Sequence, residues 1–129
     1  MGAAITIQRR VQWMDTDAAG IWHHTTLTRW VEEAEADLHR RAGIIEHTFG
    51  ATPRVKLEYE FHLPLRFDDE VDVTLTVDRL GESSIEYLVE VDKDGDLAAA
   101  GRMVAVLIDR DTGQKRSWPD EMRRALSAG

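Results

Sequence analysis

"MDTDAAGIWHH", residues Met14 to His24, interrupts the pattern that leads into it. From Ile5 to Trp13 the odd positions are mostly apolar (Ile5, Ile7, Val11, Trp13) and the even ones polar, the alternation of a half-buried strand. Continued unbroken, that strand would aim Asp15 and Asp17 at the core, where an unpaired carboxylate is expensive. Two carboxylates, Gly20 and the adjacent His23 and His24 therefore mark either a capping turn or a place where chemistry needs charge.

The stretch opens onto a helix. Leu27, Trp30, Val31, Ala34, Leu38 and Ala42 follow i, i+3, i+4, i+7 spacing and predict a helix from Thr25 to about Ala42, capped by Thr25 and closed by Arg40 and Arg41 before Gly43. Glu32, Glu33 and Glu35 read as its solvated face. From Pro53 to Asp109 the chain reads as strand. Val55, Leu57, Tyr59 and Phe61 alternate with charged residues or histidine, Val71, Val73, Leu75 and Val77 with aspartate or threonine, and Ile85, Tyr87, Val89 and Val91 are interspersed with Glu86 and Glu90, as in one-sided antiparallel strands. Lys93-Asp94-Gly95-Asp96 predicts one hairpin turn and Leu80-Gly81-Glu82-Ser83 another. Leu97 to Ile108 is apolar on both faces, which suits a central strand or one covered by another subunit. Pro119 to Leu126 predicts a short terminal helix.

At 129 residues, 43% apolar and 31% charged, the chain suits one domain over residues 1–129 with a real core. A net charge of -8 argues against nucleic acid and anionic membrane as partners. With no cysteine there is no disulfide, thiolate nucleophile or thiolate metal site, and the histidines lack ligand spacing, so no metal and no cofactor is expected. No leader-like or membrane-length apolar run appears, and a cytoplasmic protein is expected. Strand, long helix and four strands predict an α+β fold: a five-stranded antiparallel sheet wrapped around one helix, with exposed edges that favour a homodimer or homotetramer.

Strand, Asp-Thr-Asp-Ala-Ala-Gly, histidine and amphipathic helix, in that order, resemble the hotdog-fold acyl-CoA thioesterases, of the 4-hydroxybenzoyl-CoA thioesterase type and the Tol-Pal-associated group. "RVQWMDTDAAGIWHHTTLTRWVEEAEADLHRRAGI" is similar to the family's first strand and helix, and "LEYEFHLPLRFDDEVDVTLTVDRLGESSIEYLVEV" to its later strands. The resemblance implies hydrolysis of an acyl-CoA or acyl-carrier-protein thioester, with Asp17 as the catalytic carboxylate and His24 at the position of the Tol-Pal-associated histidine. It further implies that Arg79, Ser83 and Ser84, in the hairpin before the fourth strand, meet the CoA nucleotide or pantetheine. It also implies an active site shared by two subunits, with Asp17 of one facing the Ser83–Ser84 hairpin of the other.

These residue types suit the reaction. A thiol leaves easily, so a base or nucleophile, an oxyanion site and room for the thioester suffice. Asp17 can attack the carbonyl or activate water. Backbone N–H groups around His24 and Thr25, at the helix N-terminus, can hold the oxyanion, and Gly20 permits the turn between carboxylate and helix. His24 is either an orienting group or a packing residue. His23 and Trp22 can line the site, Trp13 and Trp22 can wall an acyl pocket, and Glu32 is a lesser catalytic candidate. An enoyl-CoA hydratase and a non-catalytic acyl-CoA-binding protein are the rival readings.

Overall fold

The structure, a computed structural model, describes residues 2–128. Alternating residues build five strands: β1 (Ala4–Arg10), β2 (Arg54–Phe61), β3 (Glu70–Leu80), β4 (Ser84–Lys93) and β5 (Asp96–Val106). They form one sheet in the order β1-β3-β4-β5-β2, with every pairing antiparallel. Three α-helices join them among the described residues: α1 (His24–Arg41), α2 (Ile45–Thr48) and α3 (Asp120–Ser127).

The inward faces of β3 and β4 (Val73, Leu75, Ile85, Val89, Val91) close on the α1 stripe of Leu27, Trp30, Val31, Ala34 and Leu38, all buried. Each such side chain contributes about 1.5–3 kcal/mol, so this face alone accounts for the sheet curling around one helix. The expected hotdog arrangement of five-stranded sheet, long helix and short terminal helix is present. Among the described residues no helix is long and apolar enough to cross a membrane.

Three expectations need correction. The first strand ends at Arg10, and Trp13 to Asp15 form a single 3-10 turn, so Trp13 is 78% exposed rather than walling a pocket. The Thr25 cap is replaced by His23, whose Nδ1 accepts the Thr25 N–H at 3.1 Å. Glu35 lies not on a solvated face but fully buried, because it sits four residues after Val31 and three before Leu38, inside the apolar stripe.

β5 is interior, as a strand apolar on both faces suggests, flanked by β4 and β2. β2 is an edge. Its apolar side chains Val55, Leu57 and Phe61 remain 60%, 47% and 43% exposed, while Arg54 of the same strand turns in to meet α1.

Candidate active site

The Asp-Thr-Asp-Ala-Ala-Gly segment folds as a clip. Gly20 N–H donates to the Asp17 carbonyl at 2.9 Å, Ala19 N–H donates to Asp17 Oδ1 at 2.8 Å, and Gly20 takes a φ of 78° that a side chain would resist. Thr16 bridges Trp22 and Ile21 bridges Arg66, which fastens the clip to the segment after β2. Asp17 is thereby an exposed residue at the tip of a rigid turn.

Asp15 is its structural counterpart. It is 2% exposed, its Oδ2 accepts the Gln12 N–H at 2.8 Å, and its Oδ1 pairs with Arg29 of α1. Its carbonyl accepts from His23 N–H (2.7 Å) and Thr26 Oγ1 (3.0 Å), so one buried residue ties the clip to the start of the helix. The charge that alternation aims at the core is there, and it is neutralised.

A groove of about 390 Å³ runs beside the clip, lined by Asp17, Trp22, His24, Phe61, Leu63 and Pro64. Trp22 is buried, with ring centroids 5.7 Å from Trp30 and 5.2 Å from Phe61, so it belongs to the core and to the groove wall together. His24 stacks on His23 at 4.2 Å. Asp17 and His24 therefore share one groove. His23 serves the helix cap, and that cap engages the Thr25 N–H.

Arg79, Ser83 and Ser84 lie elsewhere in the same chain. Ser84 is level with Val106, and Val106 N–H donates to the Pro53 carbonyl, so the hairpin shares the Pro53 end of the sheet. Phe61 and the Asp17 groove lie at the opposite end of β2, about 23 Å away at 3.3 Å per residue.

That far end holds a second cavity, of about 430 Å³, lined among others by Glu32, Glu35, Phe49, Thr52, Arg54 and Ile108. A bulge makes it. Arg54 pairs with Ala105 and Lys56 with Val104, so Val55 is an extra residue that turns Arg54 inward. Arg54 Nη2 then meets Glu35 Oε1 at 2.5 Å and Glu32 at 3.9 Å. Glu35 Oε2 and the Tyr59 hydroxyl are buried without a hydrogen-bond partner among the described residues. Burial pushes the Glu35 carboxyl up, against the pull of Arg54, and pushes the Tyr59 phenol up as well. Next to it, His39 Nδ1 is 2.6 Å from Thr48 Oγ1 and Nε2 is 2.8 Å from Tyr87 OH; burial lowers its pKa to about 4.

Sequence reasoning missed Glu35, Arg54 and His39. Glu35 was detectable from its place in the i, i+3, i+4 stripe, whereas nothing in the local pattern announces the bulge that turns Arg54. Among the described residues no group of His, Asp and Glu is arranged to hold a metal ion.

Residues 11–126 match the family model described as Thioesterase-like superfamily. A 1,4-dihydroxy-2-naphthoyl-CoA hydrolase from Prochlorococcus marinus is 32% identical over 95% of this chain and 86% of its own length. One from a Synechococcus species is 28% identical over 96% and 90%. Among solved structures, a gentisyl-coenzyme A thioesterase superposes with a TM-score of 0.85 at 25% identity, covering 94% of this chain and 98% of that one. These matches bear out the resemblance to the hotdog thioesterases, and the relatives named here are thioesterases of other aromatic acyl-CoAs. The chain belongs to the thioesterase-like superfamily, as a thioester hydrolase with the hotdog fold.

Proposed function

We propose that the protein hydrolyses an acyl-CoA whose acyl group is a hydroxylated aromatic ring, with Asp17 as nucleophile or general base. The observation that carries the reading is the groove itself. A carboxylate on a rigid turn and His24 at a helix N-terminus face one apolar wall of Trp22, Phe61 and Leu63. A thioester carbonyl in that groove lies beside Asp17, and its developing oxyanion falls at the positive end of α1, near the His24 N–H. The aromatic acyl group is suggested by the relatives, which are named as hydrolases of 1,4-dihydroxy-2-naphthoyl-CoA and gentisyl-coenzyme A.

The same reading includes a homodimer through β2. This edge carries an uncovered apolar face, and its charges are self-complementary: antiparallel pairing about Leu57 sets Lys56 opposite the partner's Glu58. Phe61 then falls beside the partner's Pro53, so each Asp17 groove continues into the partner's Glu35 cavity and faces the partner's Ser83 and Ser84. Residues that one chain holds about 23 Å apart become one site.

A thiol-release assay over aromatic and aliphatic acyl-CoA thioesters tests the activity, and enoyl-CoA hydration without thiol release would favour the hydratase instead. Mixing inactive Asp17→Ala and Ser84→Tyr protomers tests the sharing. Mixed dimers regain activity if each site draws on both chains, and stay dead if it does not.

A further inference from the structure

We propose that Glu35 and Tyr59 select acyl groups bearing a hydroxyl, with Arg54 holding the Glu35 carboxylate in position; this rests on the dimeric thioesterase reading above. The starting point is an imbalance in the cavity at the Arg54 end of β2. Glu35 is 0% exposed, a costly place for a carboxylate, and Arg54 satisfies only its Oε1. Oε2 makes no hydrogen bond among the described residues, the neighbouring Tyr87 hydroxyl being paired with His39 at 2.8 Å, although Glu35 lines a cavity of about 430 Å³. The Tyr59 hydroxyl, on the same inward face of β2, is likewise buried and unpaired.

Native proteins leave few such groups unsatisfied, so two of them, one on α1 and one on the facing side of β2, call for a specific partner. An acceptor and a phenol donor are what an aromatic hydroxyl satisfies: its proton goes to Glu35 Oε2 and its oxygen accepts from Tyr59. Phe49 and Ile108 offer apolar contact for the ring that carries it. Position agrees with this. Within one chain Glu35 lies eleven residues along α1 from His24, about 16 Å at 1.5 Å per residue, too far for a ring whose carbonyl sits at Asp17. Pairing of β2 with its copy brings the partner's cavity to that groove, so the hydroxyl of a ring held by one subunit meets Glu35 of the other.

The device also works by exclusion. A ring without the hydroxyl would enter a site whose buried polar atoms stay unpaired, and a site of that kind rejects the deoxy analogue more strongly than an apolar pocket could. Glu32 at the mouth is exposed and already near Arg54, so it is not the selecting group.

The test compares kcat/KM for 1,4-dihydroxy-2-naphthoyl-CoA and 2-naphthoyl-CoA in the wild-type protein, Tyr59→Phe and Glu35→Gln. The wild type should prefer the hydroxylated thioester, and each variant should lose about tenfold or more of that preference while 2-naphthoyl-CoA stays within about threefold of its wild-type value. Tyr59→Phe removes a single hydroxyl and keeps the ring, so it is the milder change and decides the matter if Glu35→Gln does not fold. A folded Tyr59→Phe with the wild-type preference overturns the assignment, as does a wild type that cleaves both thioesters equally or a variant that slows both alike. Failure of the wild type on every CoA thioester would instead strike the underlying hydrolase reading.

Discussion

Arg54 Nη2 sits 2.5 Å from Glu35 Oε1 because one extra residue, Val55, breaks the alternation of an edge strand. Counted back strictly from Lys56, position 54 would face outward. The bulge instead aims a guanidinium at a carboxylate that α1 has carried into the core. Removing only the cation leaves that carboxylate stranded. Arg54→Met should therefore cost about 3 kcal/mol or more, and Arg54→Met with Glu35→Leu should recover most of the loss. Urea unfolding of the three proteins measures it. The single variant's deficit should shrink as the pH falls, since burial already raises the Glu35 pKa and a protonated carboxyl is cheaper to bury.

His39 sets a second pH dependence, of opposite sign. Its folded pKa is lowered from 6.5 to about 4 by burial, with the Arg54 charge adding to the effect. The unfolded chain thus takes up a proton below pH 6.5 that the folded protein refuses until about pH 4. Stability is complete above that window and falls as the pH drops through it, by about 2 kcal/mol between pH 8 and pH 5. The raised Glu35 pKa acts the other way, favouring the folded state as the pH falls. Denaturation of wild type and His39→Gln at both pH values isolates the histidine: the variant should lack its part of the pH-dependent loss.

Gly101 lets Tyr59 lie flat across β5. A Cβ there would come within 2.0 Å of the Glu58 carbonyl oxygen and 2.6 Å of Tyr59 Cδ1. Gly101→Ala should force β2 away from β5 and cost about 1–3 kcal/mol. A thermal melt should show the drop, and the displaced phenol should weaken turnover of a hydroxylated substrate beyond what the melt accounts for.

Asp17→Asn separates chemistry from folding. Asparagine keeps an oxygen for the Ala19 N–H, and the side chain is exposed, so stability should change by no more than about 0.5 kcal/mol. Turnover should fall by about a hundredfold or more if the carboxylate attacks or activates water. A variant that melts earlier yet releases thiol at the wild-type rate would assign Asp17 to the turn alone.

The α1 stripe from Leu27 to Leu38, the alternation of β3 and β4, and the Asp94-Gly95 turn were legible because each depends on residues close together in the chain. Periodicity reports which face is buried, and turn chemistry reports where the chain reverses; together these determined a sheet around one helix, whereas the role of Asp17 was read only from the resemblance to the hotdog-fold thioesterases. Periodicity also implied that Glu35 is buried, yet a carboxylate's usual preference for water argued otherwise. Only the fold supplies Arg54, nineteen residues later, to make burial tolerable. Trp13 failed in the other direction: its alternation was sound, but the chain turned at Gln12 to bring Asp15 under Arg29, and the strand's pattern ran on past its end. The uncovered face of β2 was hidden for a related reason. Alternation says that a face is apolar, not what covers it, and the order β1-β3-β4-β5-β2, set by long-range pairing, left Val55, Leu57 and Phe61 exposed on an edge strand.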